Sequence, residues 1–369
     1  MKFSVSREAL LRPLQLVAGV VEKRQTMPAL GNVLVVLEGT ELSLTGTDLE
    51  VELIGRVQLE APGASGEITV PAKKFLDICR SLPEGSQIEF VYQDQKVTVK
   101  SGRSRFTLST LPASEFPAIE LGDKDLSFRC EQGEIKRLID RTGFAMAQQD
   151  VRYYLNGMLW ELHDDRLRVV ATDGHRLAMC TRPVNIALSG GVKQAILPRK
   201  GVLELARLLS EPEKSVEVIV GNNHIRAITD TFVFTSKLVD GKFPEYERVL
   251  PRHGDKVVLG NREALRQAFA RTSILSNEKY RGVRFVLTPG LVTITANNPE
   301  QEEAEEQVVV EYEGAPLEVG FNVSYLQDVA NVIDSDNLRI TLADSNSSAL
   351  VEDPDNSDSL YVVMPMRLR

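Results

Sequence analysis

Leu167-Arg168-Val169-Val170-Ala171-Thr172-Asp173-Gly174-His175-Arg176-Leu177-Ala178 decides how the rest of the chain is read. An apolar run of strand character ends on a Thr-Asp pair. Leu42-Ser43-Leu44 leads to Thr47-Asp48 in the same way, and Val292-Thr293-Ile294 leads to Asn297-Asn298. The pairs recur at about 125 residues, far beyond the roughly 20–50 of a solenoid, so the repeating unit is a whole domain. Other landmarks keep step. Phe116-Pro117 returns as Phe243-Pro244, Val70-Pro71-Ala72-Lys73-Lys74 as Leu197-Pro198-Arg199-Lys200-Gly201, and Ser6-Arg7-Glu8-Ala9-Leu10 as Asn261-Arg262-Glu263-Ala264-Leu265.

Each third follows one programme of strand, helix, strands, helix, strands. First helices are expected near Ser6, Glu131 and Asn261, where Leu10/Leu14/Val17, Ile135/Leu138/Ile139 and Leu265/Phe269 recur at helical spacing. Ser6 and Asn261 are good N-caps. Second helices are expected near Pro71, Pro198 and Asn322. Alternating runs such as Ile88–Tyr92 and Lys96–Val99 read as hairpins. Helices set against antiparallel sheet give an α+β class. Three similar domains follow, each with two helices packed on antiparallel sheets, bounded at 1–124, 125–253 and 254–369.

The 369 residues are 43% hydrophobic and 26% charged, ordinary for a globular protein. No apolar run reaches the roughly 20 residues of a membrane span, and Met1-Lys2-Phe3-Ser4-Val5 reads as a strand, not a secretory leader. Cys79, Cys130 and Cys180 are widely spaced and odd in number, which points to buried thiols in a reducing cytoplasm. The four histidines, His163, His175, His224 and His253, show no metal-ligand spacing, and no cofactor motif occurs. Thr172-Asp173-Gly174-His175 groups a hydroxyl, a carboxylate and an imidazole, but triads assemble from separated segments. An enzyme using Asp173 and His175 is the weaker reading.

Net charge is −9, yet its distribution is uneven. Five of the six expected helices are basic: Arg7, Arg12, Lys23 and Arg24; Lys73, Lys74 and Arg80; Lys136, Arg137 and Arg141; Arg199, Lys200 and Arg207; Arg262, Arg266 and Arg271. The sixth lacks basic residues and holds Asp328 and Asp334. Either these are solvated faces with ordinary ion pairs, or they line one positive surface. Without a base-reading motif such a surface contacts phosphates and ignores sequence. Glu300-Gln301-Glu302-Glu303-Ala304-Glu305-Glu306 concentrates the opposite charge. A monomeric three-domain scaffold without DNA is the competing non-enzymatic reading.

Ala171–Ala178, Leu197–Gly201, Gly241-Lys242-Phe243-Pro244, Ser276-Asn277-Glu278-Lys279 and the closing Val362-Val363-Met364-Pro365-Met366-Arg367-Leu368 together resemble the bacterial DNA polymerase III β subunits, the sliding clamps. The resemblance covers essentially the whole chain; Arg369 is one residue beyond the usual closing leucine. It implies the DNA clamp fold, with two chains closing a six-domain ring as a head-to-tail homodimer. It implies a cytoplasmic, nucleoid-associated processivity factor with no catalysis, metal or cofactor, opened by a separate ATP-driven loader. Its partners are sequence-independent duplex DNA, and DNA polymerases, clamp loader and repair proteins that carry short linear motifs.

Residue by residue, the resemblance assigns Lys74, Arg103, Arg105, Phe106 and Leu108 to one side of the dimer interface. Ile274, Leu275, Glu300, Glu303 and Glu305 take the other, opposed in charge. Leu155, Thr172, Gly174, His175, Arg176 and Leu177 are assigned to a peptide pocket between the second and third domains. Pro244, Arg248, Val249, Val362, Met364, Pro365, Met366 and Arg367 complete it. Read without the resemblance, Val362–Met366 is an ordinary last core strand and Glu300–Glu306 an exposed acidic loop. Arg24, Gln149, Tyr153 and Tyr154 are assigned to DNA contact; the alternative for the tyrosines is core packing beside Leu155.

Overall fold

The computed structural model describes residues 1–23, 26–120, 122 and 126–368. Arg24, the boundary expected at 124/125 and the terminal Arg369 lie outside the described residues.

The first repeat runs β1 (Lys2–Ser6), α1 (Arg7–Val20), β2 (Asn32–Glu38), β3 (Glu41–Thr47), β4 (Val51–Gln58), β5 (Gly66–Pro71), α2 (Ala72–Ser81), β6 (Gln87–Gln93), β7 (Lys96–Ser101) and β8 (Ser104–Ser109). The second runs β9 (Leu126–Glu131), α3 (Gln132–Thr142), β10 (Gly157–Leu162), β11 (Arg166–Thr172), β12 (Arg176–Pro183), β13 (Lys193–Pro198), α4 (Arg199–Leu208), β14 (Ser215–Val220), β15 (His224–Ile228) and β16 (Phe232–Lys237). The third runs β17 (Lys256–Asn261), α5 (Arg262–Ser273), β18 (Gly282–Thr288), β19 (Leu291–Asn297), β20 (Glu303–Glu311), β21 (Leu317–Asn322), α6 (Val323–Val332), β22 (Asn337–Leu342), β23 (Ala349–Asp353) and β24 (Asn356–Val363). The same ten-element order appears three times.

Local chemistry sets the helix ends. Ser6 Oγ accepts the Ala9 N–H at 3.2 Å, Asn261 Oδ1 that of Ala264 at 2.8 Å, and Asn322 Oδ1 that of Ser324 at 2.9 Å. Each cap satisfies one of the donors that a helix start leaves unpaired. The expected stripes are the buried ones: Leu10, Leu14 and Val17 on α1, and Leu265 and Phe269 on α5. Gly46 permits the approach of α1, since a Cβ there would lie 2.6 Å from the Val17 carbonyl oxygen.

Two compact units form, Met1–Gln132 with Leu203–Leu238, and Gly133–Val202 with Val239–Arg369. In the first, an eight-stranded antiparallel sheet runs β5-β2-β3-β4-β16-β15-β14-β9, beside the four-stranded sheet β1-β6-β7-β8. In the second, twelve strands run β13-β10-β11-β12-β24-β23-β22-β17-β20-β19-β18-β21. The joins β4/β16 and β12/β24 link successive repeats edge to edge, which removes exposed strand edges at those points.

The helix cations are more engaged within the chain than the charge pattern suggests. Arg7 bonds the Cys79 and Arg80 carbonyls, Arg12 the Ser210 hydroxyl, and Arg207 the Leu16 carbonyl and Glu204. Arg141 bonds the Val332 carbonyl and Asp334, and Arg262 the Ser335 and Ala330 carbonyls. Arg266 and Arg271 pair with Glu263 and Glu306, and Lys136 with Asp140. Lys73, Lys74 and Arg80 are exposed on α2 with no ion-pair partner among the described residues.

Candidate functional site

The turn Thr172–Arg176, between β11 and β12, is built by its own side chains. Thr172 Oγ1 donates to the Arg176 carbonyl at 2.6 Å and accepts the Gly174 N–H at 3.2 Å. Asp173 Oδ1 accepts the N–H groups of His175 and Arg176, at 2.9 and 3.1 Å, and its other oxygen accepts from Arg176 Nε. The carboxylate is thus consumed by the turn. Asp173 cannot serve as a relay for His175, and the stretch is a structural turn of the Asx type.

Beside this turn, on one face of the twelve-stranded sheet, lies a cavity of about 180 Å³. Leu155, Thr172, Gly174, Arg176, Leu177, Pro244, Val249, Val362 and Met364 line it, all of them named from the sequence. Arg152, Tyr154 and Tyr246 complete the wall. Leu155, Leu177, Tyr246 and Val362 belong to a buried apolar cluster with Leu159, Val170, Met179, Ile196 and Phe243, so the floor is fixed by packing. Met364 is the flexible part of the rim, anchored by its N–H on the His175 carbonyl at 3.0 Å.

Five of the named residues stand elsewhere. His175 is exposed and does not line the cavity; its carbonyl holds Met364, which does. Arg248 is exposed and pairs with Glu245 at 2.6 Å. Pro365 is half-buried between two depressions. Met366 and Arg367 line a separate groove of about 850 Å³ with Leu368, Arg284, Glu303 and Glu305. The tail reaches that groove because Met366 N–H bonds the Gly320 carbonyl at 2.7 Å, on the free edge of β21.

Arg176 brings little free charge to the cavity. Its guanidinium sits 4.4 Å from the centre of the Tyr325 ring and 5.4 Å from that of Phe144. It also pairs with Asp173 and Asp328 and donates to the Phe144 carbonyl. Arg152 is similarly held: two bonds to Asp150, at 3.1 and 3.0 Å, keep that carboxyl below its usual range. Gly174, at φ +89°, is the close-approach position, because a Cβ there would lie 2.9 Å from the Arg152 guanidinium.

Tyr246 was not visible as a site residue. Its hydroxyl donates to Glu161 Oε1 at 2.9 Å and accepts from Arg168 Nη1 at 3.2 Å. Burial and the Glu161 bond push the phenol up to about 12. Glu161 also takes bonds from His163 Nε2 at 2.9 Å and Gln194 Nε2 at 3.0 Å. Burial alone raises this carboxyl, but the donors His163, Gln194 and Tyr246 outweigh it and leave it below the usual range.

Of the residues assigned to DNA, Gln149, Tyr153 and Tyr154 fall on one loop. Gln149, at φ +54°, and Tyr153 are exposed, whereas Tyr154 turns into the cavity wall, edge-on to Tyr153 at 5.7 Å. Residues 151–153 are exposed, and the chain turns inward at Tyr154 and Leu155, so the adjacent tyrosines differ. The residues assigned to dimerisation lie on or near β8 and β20, on α2, and just after α5. β8 is the last strand of its sheet, with Arg103 just before it and Arg105 exposed, Phe106 half-buried and Leu108 buried; Lys74 is exposed on α2. Ile274 is 73% exposed and Leu275 half-buried. Glu303 and Glu305 are exposed on β20, and Glu300 precedes it. Among the described residues, β20 pairs beyond β19 only through Val310 and Glu311 with β17, so the Glu303–Val309 stretch offers an open edge there.

Family models of the DNA polymerase III beta subunit match in three consecutive pieces, N-terminal over residues 1–120, central over 129–245 and C-terminal over 247–367. The chain belongs to the DNA polymerase III beta subunit family. It is 65% identical to the beta sliding clamp of Pseudomonas aeruginosa and 53% identical to that of Escherichia coli, each over the full length of both chains. A crystal structure of the Pseudomonas aeruginosa DnaN sliding clamp bound to griselimycin superposes with a TM-score of 0.98 at 64% identity, covering all of both chains. The protein is a non-catalytic DNA sliding clamp, a processivity factor for the replicative polymerase.

Proposed function

We propose that two copies of this clamp join head to tail in a ring around duplex DNA, and that the cavity beside Gly174 tethers DNA polymerases, clamp loader and repair proteins by short linear motifs. The observation that carries the tethering reading is the cavity itself, an apolar recess walled by Leu155, Leu177, Pro244, Val249, Val362 and Met364. An extended peptide with a glutamine and paired apolar residues fits this chemistry, through a few deeply seated side chains. A relative of 64% identity carries griselimycin, which accords with a ligand site in this fold. Each chain contributes three domains, at 1–124, 125–253 and 254–369, so a pair supplies six.

Ring closure draws on two unsatisfied edges of opposite charge. Arg103, Arg105 and Lys74 accompany β8, with Phe106 and Leu108; Glu300, Glu303 and Glu305 accompany β20, with Ile274 and Leu275. Strand addition between them pairs the open backbone groups while the charges select head-to-tail order. Arg24, Gln149, Tyr153 and Tyr154 are assigned to DNA, with Tyr153 the exposed ring available for stacking. The site of action is DNA in the bacterial cytoplasm, at the nucleoid; no described helix is long and apolar enough to cross a membrane.

Sizing in solution tests closure. A particle of twice 40.9 kDa is expected at micromolar concentration, and one of 40.9 kDa contradicts the ring. Removing Met364–Arg369 tests the pocket: a dimer that no longer binds a polymerase-derived peptide is expected, and unchanged peptide affinity contradicts the assignment.

A further inference from the structure

Strand β10 is buried along its whole length, and Glu161 is its only ionisable residue. A carboxylate in such a place needs several donors to offset the loss of water. Register supplies two of its neighbours, because Glu161 stands opposite Arg168 on β11 and Gln194 on β13. Arg168 continues the row to Thr181 on β12, donating to its hydroxyl at 3.0 Å. The row is capped from outside the sheet by Tyr246, whose ring is wall of the cavity and whose hydroxyl is bonded to both Glu161 and Arg168.

Tyr246 opens a single short turn, Tyr246–Arg248. Pro244 precedes it by two residues, Val249 follows it, and both line the cavity. Tyr246 therefore ties this loop-borne wall to the sheet by hydrogen bonds, beside the buried Phe243 and the Arg168–Glu247 ion pair. The internal repeat provides the comparison. At the same register the first repeat carries Glu67, Val36, Ser43 and Arg56 where the second carries Gln194, Glu161, Arg168 and Thr181, and Ile119 where the second has Tyr246. That row has no buried carboxylate at its centre and borders an open depression of about 500 Å³. The polar anchor is thus not a requirement of the sheet. It occurs where the cavity wall has to be held.

We propose that Glu161 is a positioning residue for the peptide pocket, acting through Tyr246 to hold the Pro244–Val249 wall in its binding geometry. This rests on the reading of the cavity as a peptide site. The bound peptide need not touch Glu161; it meets a wall whose position Glu161 sets, so removing the tie lowers affinity by making the wall reorder on binding.

The test titrates the full-length dimer with a fluorescent peptide carrying one glutamine and two adjacent leucines. Tyr246→Phe and Glu161→Leu are each expected to weaken binding by about tenfold, the worth of one charge-assisted hydrogen bond. The double variant is expected to be no weaker than Glu161→Leu, since both break one link. Glu161→Gln, which keeps an acceptor for the tyrosine, is expected to restore affinity to within about threefold of the parent. A merely structural role moves thermal stability but not this pattern of non-additivity and rescue. Tyr246→Phe binding within about twofold of the parent, or losses that multiply in the double variant, overturns the proposal. Should Glu161→Leu fail to fold, Tyr246→Phe with Glu161→Gln decides. Leu177→Arg separates the two levels. If it binds like the parent, the pocket itself is misassigned; if it loses the peptide while Tyr246→Phe keeps it, only the role of Glu161 falls.

Discussion

The turn between β3 and β4 and the turn between β11 and β12 are made by the same hydrogen bonds in different surroundings. Thr47 bonds the Val51 carbonyl and the Leu49 N–H, and Asp48 takes the N–H groups of Glu50 and Val51, as Thr172 and Asp173 do in the second repeat. Even the bond from the neighbouring strand's end to the turn matches: Lys237 N–H bonds the Glu50 carbonyl where Met364 N–H bonds that of His175. What changes is the side chains facing the junction. Leu49 replaces Gly174 at φ +77°, Glu52 replaces Leu177, and Lys237 replaces Met364. Glu52 is buried and takes the Ile119 N–H at 3.4 Å. The repeat thus preserves a backbone frame and varies the three or four side chains set into it, which the proposed peptide site uses.

Moving first-repeat residues into the second breaks that difference one position at a time. Leu177→Glu has the largest expected effect, a loss of about hundredfold or more in peptide affinity measured by titration, because an unpaired carboxylate enters an apolar floor. Gly174→Leu comes next. A side chain in the left-handed region and against Arg152 is expected to weaken the peptide about tenfold and lower stability by roughly 1–2 kcal/mol in denaturant melts. The reverse change, Leu49→Gly, is expected to leave peptide affinity unchanged and shift stability by less than about 1 kcal/mol. Met364→Lys is milder, since Met364 is 38% exposed and a lysine stem still covers apolar surface; a loss of about threefold to fivefold is expected.

A further contrast, read in stability against pH, concerns two buried carboxylates with opposite shifts. Burial raises the Glu52 carboxyl, against weaker pulls from the Ile119 N–H and Arg226. Its folded value lies above the unfolded one, so charging it costs stability as pH rises through the carboxylate range. Glu161 lies below its unfolded value, so it contributes stability above the usual glutamate range that is lost as pH falls through its folded value. Relative to the parent, Glu161→Gln is expected to be less stable by about 1 kcal/mol at pH 7, with the gap closing on acidification. Glu52→Gln is expected to be equal or more stable at pH 7. Chemical melts across pH 4 to 7 check both signs.

Sequence reading reached the frame more easily than the wall. The Thr-Asp turns, the Ser6 and Asn261 caps and the Leu10/Leu14/Val17 stripe are local, and period and side-chain type announce them. Tyr246, Arg152 and Tyr154 join the cavity from loops distant in sequence, and no local pattern marks that convergence. One signal was available: Glu161 inside the apolar run Gly157–Leu162, a charge that a two-sided buried strand has to explain. The basic helices announced charge but not its partners, because Arg141–Asp334 and Arg7–Cys79 contacts cross long stretches of chain. The tail showed the limit of a motif: Met364 faces the cavity, whereas Met366 and Arg367 turn to the neighbouring groove.

Retention on DNA tests the central claim most directly. The protein is loaded on nicked circular duplex by a clamp loader with ATP, half of the DNA is linearised, and both samples are passed through a sizing column at raised salt. A ring threaded by DNA stays with the circle and is lost from the linear form. Equal retention on both, or loss from both alike, means that ordinary contacts hold the DNA and that no ring closes around it.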